Sequence, residues 1–253
     1  MVRMKDNLSL VIPCYNEPDN IPLLIAELKI LVSSLPFSLE VIIVDGASND
    51  GTQKILQDEF QNLDQKHFKL ILQKNKNGYG FDIIEGLKIA SHKTLAWTHA
   101  DMQTDINDVI RGFQLYKSYA SNSKDMNFIL KGNRSGRSYL DTIFTSGMQI
   151  FVLGLLRVSL NDINAQPKIF SQNFFKNHLE SSGPNDFSLD LFILFQAKRL
   201  NYEIISFPVI FKNRLFGSAK GGGGSFKNKL RLIKRTFKYI LKLRRDSLST
   251  KFL

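Results

Sequence analysis

The segment Leu8-Ser-Leu-Val-Ile-Pro-Cys-Tyr-Asn-Glu17 passes from an apolar run into a polar turn that opens with a proline. A nearly continuous apolar run predicts a strand covered on both faces, as in a parallel sheet. Pro13 has no amide donor, so the strand is expected to stop there. From Asn20 to Ser34 the apolar residues Ile21, Leu24, Ile25, Leu28, Leu31 and Val32 recur at helical spacing. Glu40-Val-Ile-Ile-Val44 reads as a second strand, ended by Asp45-Gly46. The alternation continues with a helix from Gly51 to Phe60, a strand from Phe68 to Leu72 and a helix from Phe81 to Ala90. A strand from Thr94 to Thr98 and a helix from about Asn107 to Tyr119 complete it. Strands alternating with amphipathic helices predict an α/β fold, its mostly parallel sheet carrying helices on both faces.

In sheets of this kind ligands sit beyond the carboxyl ends of the strands. That rule selects four short segments: Pro13-Cys-Tyr-Asn-Glu17, Asp45-Gly-Ala-Ser48, Asn77-Gly-Tyr-Gly80 and His99-Ala-Asp-Met-Gln103. Taken singly each has a plain reading. Asp101 can cap a helix, and Asn77 to Gly80 can be a turn. His67, His92 and His178 have no partner at a recognisable spacing and read as surface residues.

The second half is less regular. It predicts a strand at Phe128 to Lys131, an apolar helix near Asp141 to Leu156, a helix from Phe187 to Lys198 and a strand from Tyr202 to Lys212. Gly221-Gly-Gly-Gly224 reads as a flexible joint. Beyond it Phe226, Leu230, Ile233, Phe237, Ile240 and Leu241 recur among Lys and Arg, which predicts a basic amphipathic C-terminal helix. Such a helix either packs back on the core or lies on anionic lipid.

Charge separates these parts. Thirteen of the 34 Lys and Arg lie from Lys212 onward against the single acid Asp246, so the preceding residues are close to neutral despite a net charge of +11. A nucleic-acid-binding fold carries its basic surface on the domain itself, so no nucleic-acid partner is expected. A basic tail on a neutral domain fits peripheral contact with an anionic membrane through residues 225–245. Cys14 is the only cysteine, which fits a reducing compartment. No signal-peptide core precedes the first strand, and the longest uncharged stretch, Thr142 to Leu156, is shorter than a membrane span. The expected location is cytoplasmic, at most peripheral to the inner face of the membrane.

Together the motifs resemble the family-2 glycosyltransferases of the GT-A fold, in particular the polyprenyl- and dolichol-phosphate mannose synthase-like branch. Val11-Ile-Pro-Cys-Tyr-Asn-Glu17 is similar to that family's V-I-P-x-Y-N-E, and Val44-Asp-Gly-Ala-Ser-Asn-Asp-Gly-Thr52 to its V-D-D-x-S-x-D-G-T. Asn77-Gly-Tyr-Gly80 with Gly86 resembles the G-x-G…G stretch, and His99-Ala-Asp-Met-Gln103 the D-A-D-x-Q metal motif. Downstream, Gly132-Asn-Arg134 resembles G-S-R, and Asp162 to Phe170 sits where this branch has D-x-x-S-G-F-x-x-F. Phe187-Ser-Leu-Asp190 sits where an acceptor-side acid is expected, and Arg214-Leu-Phe-Gly-Ser-Ala-Lys220 matches R-x-x-G-x-S-K.

The resemblance implies a glycosyltransferase, a hexosyltransferase by type, that moves a sugar from a nucleotide-diphosphate donor to a polyprenyl-phosphate or glycan acceptor with inversion. It implies a domain over residues 1–220, with a donor half to about 125 and an acceptor half after it, and an appended helix over 221–253. Pro13, Tyr15, Glu17, Asp45, Gly78, Gly80, Ala100, Asp101 and Arg214 are the implied donor-binding residues, Asp45 accepting from a base N–H. Asp101, Gln103 and His99 are the implied ligands of Mn²⁺ or Mg²⁺, and Asp190, Arg134 and Lys220 the implied catalytic groups. The chemistry is coherent. A departing diphosphate gathers negative charge, which a hard cation on carboxylate and amide oxygens, with fixed Arg and Lys, can neutralise.

The sequence departs from the pattern in three places. His99 replaces the first Asp of the metal motif, as a ligand or as a neighbour that bonds the phosphate. Gly46 replaces a second Asp, which leaves one nucleoside contact missing or made elsewhere. Gln166-Pro167 replaces a Gly-Phe pair near the sugar. These changes also motivate an alternative, a non-catalytic nucleotide-sugar-binding module of the same fold.

Overall fold

A computed structural model describes residues 7–123, 127–135, 149, 151–217 and 226–248, with side chains of the last segment from 234 to 247. Its elements are β1 (Asn7–Cys14), α1 (Asn20–Ser34), β2 (Ser38–Asp45), α2 (Thr52–Phe60), β3 (Phe68–Leu72), α3 (Tyr79–Lys88) and β4 (Thr94–Trp97). There follow α4 (Ile106–Asn122), β5 (Phe128–Ser135), β6 (Lys168–Ser171), α5 (Gln172–His178), α6 (Leu189–Arg199), β7 (Glu203–Ile210) and α7 (Phe226–Leu248).

The strands form one seven-stranded sheet in the order β3-β2-β1-β4-β6-β5-β7. The first four are parallel, β6 runs against both its neighbours, and β5 and β7 are parallel to each other. Alternate side chains of a strand face opposite sides, and the two cores follow from that. Leu8, Leu10 and Ile12 pack under α1, α2 and α4, together with Val41 and Ile43. Val11, Ile42, Val44 and Trp97 pack under α3, α5 and α6.

Three expectations are corrected. Pro13 does not end β1, because it stays in register with Val44. Val11 turns its carbonyl toward the β4 side, where it accepts from Thr98 N at 3.2 Å, and Pro13 faces the same side one step further on. The β1–β4 ladder ends at Val11↔Trp97, so the missing amide costs no hydrogen bond. Next, β6 and α5 carried no readable signal. The strand has only four residues, Lys168 among them, and the helix starts on a Ser171 cap that accepts from Phe174 N at 3.1 Å. Finally, His67, His92 and His178 are half-buried, and the His67 Nδ1 lies 2.9 Å from the Leu39 carbonyl.

Of the apolar helix expected at 141–156, residues 151–156 are helical and most of the rest lies outside the described residues. So do Lys220 and the glycine joint at 221–224. The C-terminal helix packs back on the core through Ile240 and Leu243. Among the described residues no helix is long and apolar enough to cross a membrane.

Candidate active site

The carboxyl ends of β1, β2 and β4 open into a cleft of about 520 Å³. Pro13, Tyr15 and Glu17 enter it from the end of β1, Gly46 from β2, and Gly78 with Tyr79 from the start of α3. His99, Ala100, Asp101 and Gln103 line it after β4, and Arg134, Asp190 and Arg214 close the far side. Arg235 and Thr236 of α7 also reach it, so the basic helix borders the cleft.

The centre is ionic. Arg214 pairs through Nη2 with Glu17 Oε1, and its Nη1 lies 3.4 Å from Asp101 Oδ2. Glu17 Oε2 accepts from Asn20 Nδ2 at 2.7 Å, which fixes the carboxylate that receives Arg214. The other oxygen of Asp101 accepts from Gln103 N at 3.2 Å. Asp101 to Gln103 form a turn beyond the end of β4. β4 stops at Trp97, and Met102 adopts a left-handed φ of 55° that brings the turn into the cleft. His99 Nε2 lies 3.0 Å from Tyr79 Oη, while the Tyr79 ring stacks on Phe187 at 4.4 Å between centroids.

In the second half of the chain, Arg134 grips Asp162 in a fork, Nη2 to Oδ1 at 2.6 Å and Nε to Oδ2 at 3.2 Å, while its backbone N–H also donates to Oδ2. Asp190 is 2% exposed at the first turn of α6, not turned to solvent. Its Oδ1 accepts from Gln166 Nε2 at 2.8 Å and from the buried ammonium of Lys168. Burial pulls Lys168 below the ordinary lysine range, while Asp190 opposes that shift. No local sequence signal pairs these two residues, which come from β6 and α6.

Two expected donor-binding residues lie behind the wall of the cleft. Asp45 is fully buried. Oδ1 accepts from Ser48 N at 2.9 Å and Gln53 Nε2 at 2.6 Å; Oδ2 accepts from Ser48 Oγ at 2.5 Å and Cys14 Sγ at 3.6 Å. A carboxylate offers about four lone-pair sites, and all are occupied. Gly80 packs against the backbone at Pro184 and Asp186, where a side chain would collide. Gly78 does line the cleft, with a φ of 116° that favours glycine.

Asp82 was missed. It falls on the buried face of α3, four residues before Gly86, which itself packs on Val11 and Val44. An acid in the apolar stripe of a helix was the available signal. It is 4% exposed, it lines the cleft, and among the described residues its Oδ1 has no hydrogen-bond partner. Burial first, then the charges of Asp45 and Glu85, push its carboxyl up to about 7.

Sheet order, crossovers and the position of the cleft define the GT-A fold of nucleotide-sugar transferases. Residues 9–138 match the sequence model described as Glycosyl transferase family 2, and the chain belongs to that family. It is 26% identical over 216 residues to a dolichyl-phosphate beta-glucosyltransferase of Dictyostelium discoideum, covering 80% of this chain and 65% of that protein. It is 24% identical over 214 residues to an undecaprenyl-phosphate 4-deoxy-4-formamido-L-arabinose transferase of Pectobacterium atrosepticum, covering 85% of this chain and 62% of that protein. The chain thus spans a little under two thirds of these relatives' lengths. Among solved structures, glucosyl-3-phosphoglycerate synthase from Mycobacterium tuberculosis with Mn²⁺, UDP-glucose and phosphoglyceric acid superposes with a TM-score of 0.65 at 14% identity. That match covers 94% of this chain and 79% of the other.

Proposed function

We propose that the protein transfers a hexose-type sugar from a nucleoside diphosphate donor to a polyprenyl phosphate, inverting the anomeric carbon. One observation carries the reading: in a family-2 chain, a single cleft at the strand ends sets Asp101 opposite Arg214 and Arg134. The bond from the anomeric carbon to the diphosphate breaks as an acceptor phosphate oxygen bonds to that carbon, and the nucleoside diphosphate departs. Pro13, Tyr15, Glu17 and Ala100 shape the donor pocket. Arg214 and Lys220 meet the departing charge, and Arg134 does so from its fork on Asp162. Donor functions fall to the half before about residue 125, acceptor functions to the half from 126 to 220, and residues 221–253 are an appendage.

A divalent cation, Mn²⁺ or Mg²⁺, would neutralise charge on the leaving diphosphate. Asp101 would hold it, with Gln103 and His99 beside it. The donor set fits such a cation, since the carboxylate of Asp101, the amide of Gln103 and the imidazole of His99 all line the cleft. Among the described residues Asp101 Oδ2 meets Arg214 Nη1 at 3.4 Å, longer than a strong charged hydrogen bond.

A polyprenyl phosphate suits the far side better than a glycan. A phosphate monoester is anionic at neutral pH, with a second pKa of about 6, and needs no general base. Asp190, the candidate base for a hydroxyl acceptor, is engaged by Lys168 and Gln166. Near the cleft, exposed Phe151 meets Phe237 at 5.6 Å between ring centroids, with exposed Leu241 one turn further along α7 and Lys238 and Lys242 beside them in sequence. That surface fits a lipid chain and peripheral contact of α7 with an anionic membrane. The names of the two relatives point to the same acceptor class.

The test is nucleoside diphosphate release from a panel of nucleotide sugars with a short-chain polyprenyl phosphate, with and without Mn²⁺, for the wild type and Asp101→Ala. Release that needs acceptor, metal and Asp101 is the expected result. Donor binding without transfer under every condition would assign a non-catalytic binding module instead.

A further inference from the structure

Among the described residues, one buried carboxylate oxygen at the cleft has no hydrogen-bond partner. Asp82 Oδ1 is buried and unpartnered, while Asp45, the acid expected to read the base, has every lone pair taken inside the protein. The space explains the exchange. A Cβ built on Gly46 would lie 2.5 Å from Asp82 Oδ2, so the carboxylate from α3 fills the volume that a side chain at the end of β2 would need. Gly46 is the position where the resembling motif carries its second Asp. Here the acid comes from the neighbouring helix.

We propose that Asp82 reads the donor's nucleobase, its carboxylate accepting from the ring N–H of a uracil-, thymine- or guanine-type base. This rests on the donor-binding reading of the cleft given above. Asp82 lies against Gly46, and both line the cleft together with Pro13, Tyr15 and Gly78, flat or small surfaces that admit a planar ring. Arg214, which suits phosphate, lies on Asp101 and Glu17, and Arg134 is held on Asp162. An acid is the wrong group to meet a diphosphate and the right one to meet a ring N–H. Lys76, which also lines the cleft, rests its ammonium 3.6 Å from the centroid of the Tyr15 ring. The corresponding ring nitrogen of cytosine and adenine is an acceptor. Those bases would leave the Asp82 oxygen unpaired, and a site built to bond a polar group rejects ligands that cannot.

The experiment is calorimetric titration of the full chain with UDP, GDP, dTDP, CDP and ADP in Mn²⁺, for the wild type, Asp82→Asn and Asp82→Ala. The wild type should prefer at least one of UDP, GDP and dTDP. Asp82→Asn should weaken that nucleotide about 10-fold and Asp82→Ala about 100-fold, while CDP and ADP hold or tighten. Thermal unfolding midpoints at or above the wild type's establish that the variants are folded. Unchanged affinities for all five nucleotides in both folded variants would overturn the role of Asp82 alone, as would a wild-type preference for CDP or ADP. A wild type that binds none of the five would overturn the donor-site reading, and the base-reading role with it.

Discussion

Arg214 Nη1 lies 3.4 Å from Asp101 Oδ2, which ties the segment after β7 to the turn after β4 across the mouth of the cleft. The same guanidinium pairs with Glu17 and donates from Nε to the Phe216 carbonyl at 2.8 Å, so its position is fixed from three sides. A metal and a diphosphate arriving at Asp101 would draw the guanidinium onto phosphate oxygens. Replacing Arg214 with Ala is therefore expected to lower kcat/KM for the donor about 100-fold. Arg214→Lys should recover only part of that loss, because an ammonium cannot reproduce the planar fork. Steady-state kinetics on both variants decides the matter, and a wild-type value for Arg214→Ala would leave the residue a structural tie only.

The buried pair under the acceptor side allows a second prediction. Asp190→Asn leaves the Lys168 ammonium, 1% exposed, without its anion, which is expected to cost about 3 kcal/mol of stability. Exchanging both, as Asp190→Asn with Lys168→Met, should return most of it, since the charge to be compensated is gone. Denaturant unfolding measures both. If the acceptor is a polyprenyl phosphate, the folded double variant should keep transfer to it within about 10-fold, because no base is required. Loss of about 1,000-fold with the fold intact would make Asp190 the base and the acceptor a hydroxyl.

The donor half was legible because its signals are local. Runs such as Val41 to Val44, buried on both faces, read as strands, and the turn segments at their ends fell where a parallel sheet places ligands. The motifs brought Glu17, Asp101 and Arg214 to one cleft as the resemblance implied. Partnership was not legible. That Asp45 is saturated by Ser48, Gln53 and Cys14 depends on contacts between β1, β2 and α2, which no spacing encodes. β6 was hidden for a related reason. Lys168 looks like a surface residue until Asp190, from a helix two elements later, is placed against it.

Asp82 makes stability depend on pH in a stated direction. Its carboxyl is raised to about 7 in the folded protein by burial and by Asp45 and Glu85, with Lys76 opposing, against an ordinary 3.8. A raised folded pKa means that the folded state holds the proton more tightly. That contribution is present below about pH 4 and is lost as pH rises through about 7. Asp82→Asn removes the titration, so its unfolding midpoint should match the wild type near pH 4. It should exceed the wild type at pH 8 by an amount corresponding to about 1–3 kcal/mol. Melting curves across that range test it, and a difference independent of pH would contradict the assignment.

The apolar surface beside the cleft gives the last prediction. Phe237 is 38% exposed and stands next to Phe151 at 53%, and Leu241, one turn along α7, is 43% exposed, a cost in water that contact with lipid would remove. Lys238 and Lys242 flank them on the same helix. On anionic vesicles the apolar side chains would enter the interface while the lysines meet head groups, each basic contact adding about 1 kcal/mol. The intact protein should therefore sediment with vesicles containing anionic lipid and much less with neutral ones. Phe237→Ser with Leu241→Ser should weaken that binding about 10-fold or more, since two part-exposed side chains would otherwise be buried. Ile240 and Leu243, which hold the helix to the core, are untouched by this change. The variant should keep its affinity for nucleotides while losing turnover on vesicle-borne acceptor. Equal sedimentation of variant and wild type would confine α7 to packing on its own domain.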